Sequence, residues 1–287
     1  MRSNLILCTL ATLCCLFAGT TPAAGQGFGT GPEGNKYVFT RLVAETRQIA
    51  ADTEAFIGLN LRISPKWHVY WRYAGDGGGP VSVKWDLPEG VTIGEPLWPA
   101  PDRYVQSGVI LNYTYEKDVT LLFPVTIDGD RHPDGSALTI KADIEWLVCH
   151  EICVFGGRSA RLMVSVGSND EPTEDKALFD TARKTLPLDD DAATRDNVTT
   201  SWDGLTLTLK AAGADALEFY PYPVGDDEAC LPLSDMIEAG AVKGEAIAIE
   251  YDEDARTAPN VRGVLMVTRG DSHAYYAVDV TGPEATP

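Results

Sequence analysis

The sequence predicts an all-β protein of two sandwich domains, and three observations carry that prediction. Short segments alternate apolar and polar residues with period two, the signature of strands with two unlike faces. Turns rich in Gly and Pro bound these segments at close intervals, as in antiparallel sandwiches. A second series of such segments begins after a polar break near Gly167. At 287 residues the chain has room for one or two domains and a sizeable core.

Residues 1–25 read as an export signal. Arg2 precedes an apolar run from Leu5 to Ala18, followed by the small residues Thr20 to Gly25 around a cleavage point near Ala24 or Gly25. The run is too short to span a bilayer, and no later stretch is long and apolar enough, so stable membrane insertion is not expected. Cys14 and Cys15 raise a lipoprotein signal, but Leu13 stands where a small residue is needed.

A first domain is expected over residues 36–168. Ala55, Ile57, Leu59, Leu61 and Ile63 alternate with Phe56, Gly58, Asn60 and Arg62, and Trp67 to Trp71 is dense in the residues that suit a pleated surface. The run Gly75 to Pro80 must be a loop, because so many glycines cost a regular element too much backbone entropy. Further strands are expected at Val81–Trp85, Val109–Tyr115, Val119–Val125, Leu138–Val148 and Ala160–Val166. Turns fall at Leu87-Pro88-Glu89-Gly90, Trp98 to Asp102 and Asp128-Gly129-Asp130.

Residues 169–195 read as a linker. Within it Thr173–Thr185 predicts a short helix with Thr173 as N-cap, Glu174 and Asp175 in the first turn, and Arg183 and Lys184 in the last, charges that complement the helix dipole. Pro187 stops it, and Asp189-Asp190-Asp191 reads as a solvated loop. A second, smaller β domain is expected over residues 196–283. Leu205, Leu207 and Leu209 alternate there, followed by Ala216–Tyr220, Ala246–Tyr251, Val261–Val267 and Ala274–Val280.

The formal net charge of −19 argues against nucleic acid or anionic lipid as the main partner. Removal of the signal would take Cys8, Cys14 and Cys15 and leave Cys149, Cys153 and Cys230 in an oxidising compartment, where disulfides persist. An odd number leaves at least one thiol free or paired between chains. Cys230, among acidic residues, reads as a lone thiol.

Cys149 and Cys153 close the stretch Asp143 to Phe155. A disulfide needs its Cα atoms within roughly 7 Å, whereas four residues of strand span about 13 Å. His150-Glu151-Ile152 must therefore reverse the chain or form a helical turn, with Phe155-Gly156-Gly157 suiting a strand end or turn. Three chemistries compete. A structural staple is one, although a loop this short removes only about 2 kcal/mol of denatured-state entropy, against about 4.7 for a hundred-residue loop. A redox couple is the second, since the second thiol can resolve a mixed disulfide. A metal site is the third: Cys149, Cys153 and His150 would suit Cu(I), with His68, His132, His273 or Met163 as further ligands. Nearby carboxylates would raise a thiol pKa and a His⁺ would lower it, so spacing fixes no net sign. Trp67, Tyr70, Trp71 and Trp146 are available to shield the sulfurs or to pack the core. No haem attachment, Ser/His/Asp order, phosphate-type Gly loop or HExxH is present. The sequons at Asn112 and Asn197 are too common to carry weight.

Pro65-Lys66-Trp67-His68-Val69-Tyr70-Trp71-Arg72, Gly75-Asp76, Trp85 to Val91, Trp98-Pro99-Ala100-Pro101 and Trp146 to Cys153 occur in that order. The set resembles the periplasmic N-terminal region of DsbD-type thiol:disulfide interchange proteins, above all the longer branch with the suppressor-of-copper-sensitivity proteins. The resemblance covers roughly Tyr37 to Val166. It implies immunoglobulin-like sandwiches, a periplasmic location, and a redox pair at Cys149 and Cys153, with Cys153 the sulfur that meets the incoming donor. It also implies a thioredoxin-like or membrane-embedded donor and oxidised periplasmic client proteins as partners. Two departures stand out. The chain shows no membrane or thioredoxin part, so a separate reductant is expected, and only three residues separate the cysteines, fewer than in the shorter domains of that family.

Overall fold

The computed structural model describes residues 33–223, 233–250 and 260–282. The expected signal segment, Tyr251 and Cys230 lie outside them. The expected class holds: the chain is mostly strand, in two immunoglobulin-like sandwiches joined by a segment with short helices.

In the first sandwich a four-stranded antiparallel sheet runs in the order β1 (Val38–Ala44), β3 (Ala55–Ile63), β9 (Val119–Ile127), β6 (Val91–Ile93). It faces a seven-stranded sheet ordered β2 (Gln48–Ile49), β11 (Cys153–Val166), β10 (Ala137–Cys149), β4 (His68–Gly75), β8 (Ile110–Tyr115), β7 (Asp102–Gln106), with β5 (Ser82–Asp86) also paired to β10. Ile57, Leu59 and Leu61 of β3 meet Ile140, Ile144 and Trp146 of β10 within one core, as their alternation requires. The opposite face of β3 is buried too. There α1 (Lys176–Arg183) sets Phe179 against Val43 and Leu122, and a Cβ on Gly58 would lie 2.7 Å from Val43 and 2.9 Å from Thr120.

The second sandwich has a three-stranded sheet, β12 (Val198–Asp203), β13 (Thr206–Ala211), β16 (Ala246–Glu250). A four-stranded sheet faces it, ordered β15 (Ala241–Lys243), β14 (Ala216–Pro221), β17 (Asn260–Arg269), β18 (Ser272–Thr281). Helix α3 (Leu233–Ala239), which no periodicity announced, leads into β15.

The connecting segment corrects the sequence expectation. The helix expected over Thr173–Thr185 is α1, which begins only at Lys176. Thr173 is not its N-cap: its hydroxyl donates to Ala44 O and accepts from Asp175 N–H, and Asp175 is held by Arg41 at 2.6 Å. The acidic run expected as a loop starts a second helix, α2 (Asp190–Arg195). The Asp189 carboxylate accepts the Ala192 N–H there, and Asp190 and Asp191 occupy the positive end of the helix dipole. β11 also begins earlier than expected, at Cys153 rather than Ala160, and runs through Gly156 and Gly157. The reason is contact: a Cβ at Gly156 would lie 2.3 Å from Trp146 Nε1, so glycine lets the indole sit flat on the neighbouring strand.

The two sandwiches share one core. Sheet β2–β7 is wider than the sheet that faces it, and its β4–β8–β7 end is covered by the second sandwich. Trp71 of β4 and Tyr113 of β8 are fully buried, with the rings of Tyr220 and Tyr222 lying 6.4 and 5.6 Å from that of Trp71. Arg103 of β7 donates to Met236 O and Ile237 O of α3, at 2.8 and 2.6 Å. Hydrogen bonds by a charged donor are worth about 1.5–3 kcal/mol each, so losing both in Arg103→Ala should lower unfolding stability by about 3 kcal/mol or more in urea titrations. A variant as stable as wild type would show that the sandwiches hold together without this clamp.

Candidate functional site: the disulfide hairpin

β10 and β11 pair residue for residue from Ala137↔Ser165 to Cys149↔Cys153. His150-Glu151-Ile152 form the connection, closed by a bond from His150 N–H to Ile152 O at 3.1 Å. The chain reverses here, one of the two solutions the spacing allowed. Directly opposed in the ladder, Cys149 and Cys153 have Cα atoms 4.1 Å apart and are joined as a disulfide.

The two sulfurs lie in unlike surroundings. Cys149 is 2% exposed, whereas Cys153 begins the outer strand and is exposed. On its other side Cys149 pairs with His68 of β4. Tyr70, two residues on and therefore on the same face, donates its hydroxyl to Cys149 Sγ at 3.1 Å, and the same oxygen lies 3.8 Å from Cys153 Sγ. The Gly-rich loop holds Tyr70 down: a Cβ at Gly78 would come within 2.2 Å of its ring. Asp76 and Asn112 fix this loop by accepting Leu111 N–H and Gly77 N–H. Burial, followed by the neighbouring Tyr104, raises the Tyr70 pKa, which keeps the hydroxyl a donor.

His68 is 4% exposed, with its ring 5.4 Å from that of Tyr70 and 4.8 Å from that of Tyr104. Burial, then the charge of His150, lowers its pKa below the usual 6.5. Trp67 stacks on Tyr37 at 3.6 Å between ring centroids and lies 5.7 Å from the His150 ring. Of the four aromatic residues available to shield the sulfurs, then, Tyr70 touches them and Trp67 flanks the hairpin tip. Trp71 and Trp146 face inward and pack the core. Tyr104 escaped notice because it stands alone in a turn-like stretch, and only pairing through β8 brings it here.

Of the further ligands weighed for a metal, only His68 is brought beside the cysteines, as the cross-strand neighbour of Cys149. His132 bonds to Glu89 O and His273 to Thr268, while Met163 is ten residues along β11 from Cys153 and 80% exposed. Among the described residues no group of three or more His, Cys, Asp or Glu side chains is placed to hold a metal ion. No helix among them is long and apolar enough to cross a membrane.

A sandwich whose sheet carries a disulfide across a tight hairpin, with one cysteine buried and the other exposed, defines the class. Residues 40–164 match the family described as "Thiol:disulfide interchange protein DsbD, N-terminal", and this stretch is a DsbD-type N-terminal domain. Among solved structures, the N-terminal periplasmic domain of ScsB from Proteus mirabilis aligns at 16% identity and a TM-score of 0.56, covering 88% of this chain and 97% of that one. The fold likeness thus runs through both sandwiches. The Neisseria meningitidis DsbD N-terminal domain in its reduced form aligns at 13% identity with a TM-score of 0.31, covering 48% of this chain and 93% of that one. No curated protein sequence matches the chain.

A folded-state pKa of His68 below its unfolded value means that the unfolded chain binds the extra proton first. Stability is therefore full above pH 6.5 and is lost as the pH falls from there toward the folded-state value. Urea midpoints at pH 7.5 and 5.5 should show this loss, and His68→Gln should flatten it. An equal slope in the variant would assign the effect elsewhere.

Proposed function

We propose that Cys149 and Cys153 form a redox couple that passes electrons between proteins by thiol–disulfide exchange. The observation that carries this reading is the asymmetry of the pair: an exposed Cys153 and a buried Cys149 whose sulfur receives the Tyr70 hydroxyl. The alternative of a staple has little to recommend it. A thirteen-residue ladder already aligns β10 with β11, and a disulfide closing so short a loop adds only about 2 kcal/mol.

In the proposed step a donor thiolate attacks Cys153 Sγ. A donor–Cys153 bond forms, the Cys149–Cys153 bond breaks, and the electron pair leaves on Cys149 Sγ. Tyr70 supports that leaving group, because a hydrogen bond to a thiolate is stronger than one to a neutral sulfur. A second thiolate of the donor then attacks the donor sulfur of the mixed disulfide; the donor–Cys153 bond breaks, its electron pair leaves on Cys153 Sγ, and oxidised donor departs from the reduced pair. Running the exchange in reverse, the reduced pair reduces an oxidised client. The family supports a thioredoxin-like or membrane-held donor and periplasmic clients, and the signal-like start of the chain supports the same compartment.

Thiol trapping against glutathione buffers should give a reduction potential above about −300 mV, and a lower value would mark a structural bridge and end this reading. Cys149→Ala should form a stable adduct through Cys153 with a thioredoxin-like donor that lacks its resolving cysteine and carries its attacking cysteine as a thionitrobenzoate mixed disulfide, the Cys153 thiolate expelling thionitrobenzoate, while Cys153→Ala should form none. Tyr70→Phe, which removes one hydrogen bond, should slow opening of the disulfide by about tenfold.

A further inference from the structure

On the outer face of the seven-stranded sheet, cross-strand pairs lead away from the disulfide. Cys149 faces Cys153, next Leu147 faces Phe155, and then Glu145 faces Gly157. Residues two apart on a strand share a face, and each step is roughly 7 Å. Beside these rows stands the Gly78-Gly79-Pro80 stretch of the loop that covers Tyr70. Between that wall and the strands lies a cleft of about 330 Å3, lined by Leu147, Phe155 and Glu145. Phe155 is 51% exposed, and Glu145 is exposed and enters no ion pair among the described residues. The wall is backbone: at Gly79 the Cβ position has no atom within 4 Å.

The geometry points to this cleft as the seat for the chain that flanks the partner's reactive cysteine: an extended segment with an apolar residue two positions from that cysteine and a basic one four positions away. The inference rests on the redox reading above. An extended chain whose cysteine is bonded to Cys153 advances at the same pitch as β10 and β11. Its residue two positions off falls over Leu147 and Phe155, and the next residue on that face falls beside Glu145. The apolar contact supplies most of the selectivity, since an exposed ion pair contributes little.

The test uses two cysteine peptides of identical composition and charge, each with lysines four residues from the cysteine. One carries Leu two residues to either side of the cysteine and Ser at the adjacent places, and the other exchanges the Leu and Ser positions. Each peptide thiolate attacks Cys153 Sγ, forming the peptide–Cys153 bond and expelling Cys149 as thiolate. A second peptide thiolate then releases the peptide disulfide and the reduced pair. The first peptide should open the disulfide about tenfold faster, the gain expected from half-burying one Leu. Gly79→Leu, which fills the cleft from a wall position with free space, should abolish that preference and leave the rate with dithiothreitol unchanged. Equal rates for the two peptides in wild type, or a preference that survives Gly79→Leu, would overturn the cleft assignment. Failure of dithiothreitol itself to open the bond would instead overturn the redox reading.

Discussion

The antiparallel ladder between β10 and β11 is the constraint on which the site depends. Its register sets Cys149 opposite Cys153, and a slip of one residue would send every side chain on one strand to the other face. The register is pinned by the long alternation of β10, where Leu138, Ile140, Ala142, Ile144, Trp146 and Val148 are all buried, and by the fit of Gly156 beneath Trp146. The core thus determines which residues meet at the hairpin end, and the disulfide forms where packing has already placed its sulfurs.

That ladder also creates the difference between the two cysteines. β10 is an interior strand, with His68 of β4 beside Cys149, whereas Cys153 starts β11, which lies toward the edge of the sheet. One cysteine is therefore buried beside aromatic rings and the other is exposed. Nothing in the chemistry of two cysteines four residues apart dictates such a division. It comes from the position of each strand in the sheet.

Much of the fold was legible in the sequence because local pattern and burial agree. Ile57, Leu59 and Leu61 alternate and are buried, and the strands expected around Val119, Leu138, Leu207 and Ala274 are found with ends shifted by a few residues. The misreadings have local causes. Gly156-Gly157 looked like a turn because the Trp146 ring that requires it is on another strand. Asp189-Asp190-Asp191 looked solvated because a charge run and a capped helix start share the same residues. The reversal at His150-Glu151-Ile152 followed from spacing, and the likeness of residues 40–164 to the DsbD N-terminal domain followed from the tryptophan-containing motifs. Tyr70 stood among the aromatic residues weighed as a shield and His68 among the further ligands, but the Tyr70 hydroxyl on Cys149 Sγ and the place of Tyr104 beside His68 were not legible, because they arise through strand pairing over distances along the chain that no local pattern encodes.

β4 has two obligations. Tyr70 on one face reaches the sulfurs, while the next residue, Trp71 on the other, anchors the second sandwich. The hairpin is therefore a poor candidate for transplantation. Grafted alone onto another scaffold it would bring its cysteines but leave behind the hydroxyl that addresses one of them. Grafted together with β4 it would bring a bulky indole that demands a second sandwich to cover it. In this chain the smallest portable unit of the hairpin with its hydroxyl is therefore the pair of sandwiches together, because the strand that carries Tyr70 also carries the Trp71 ring that the second sandwich covers.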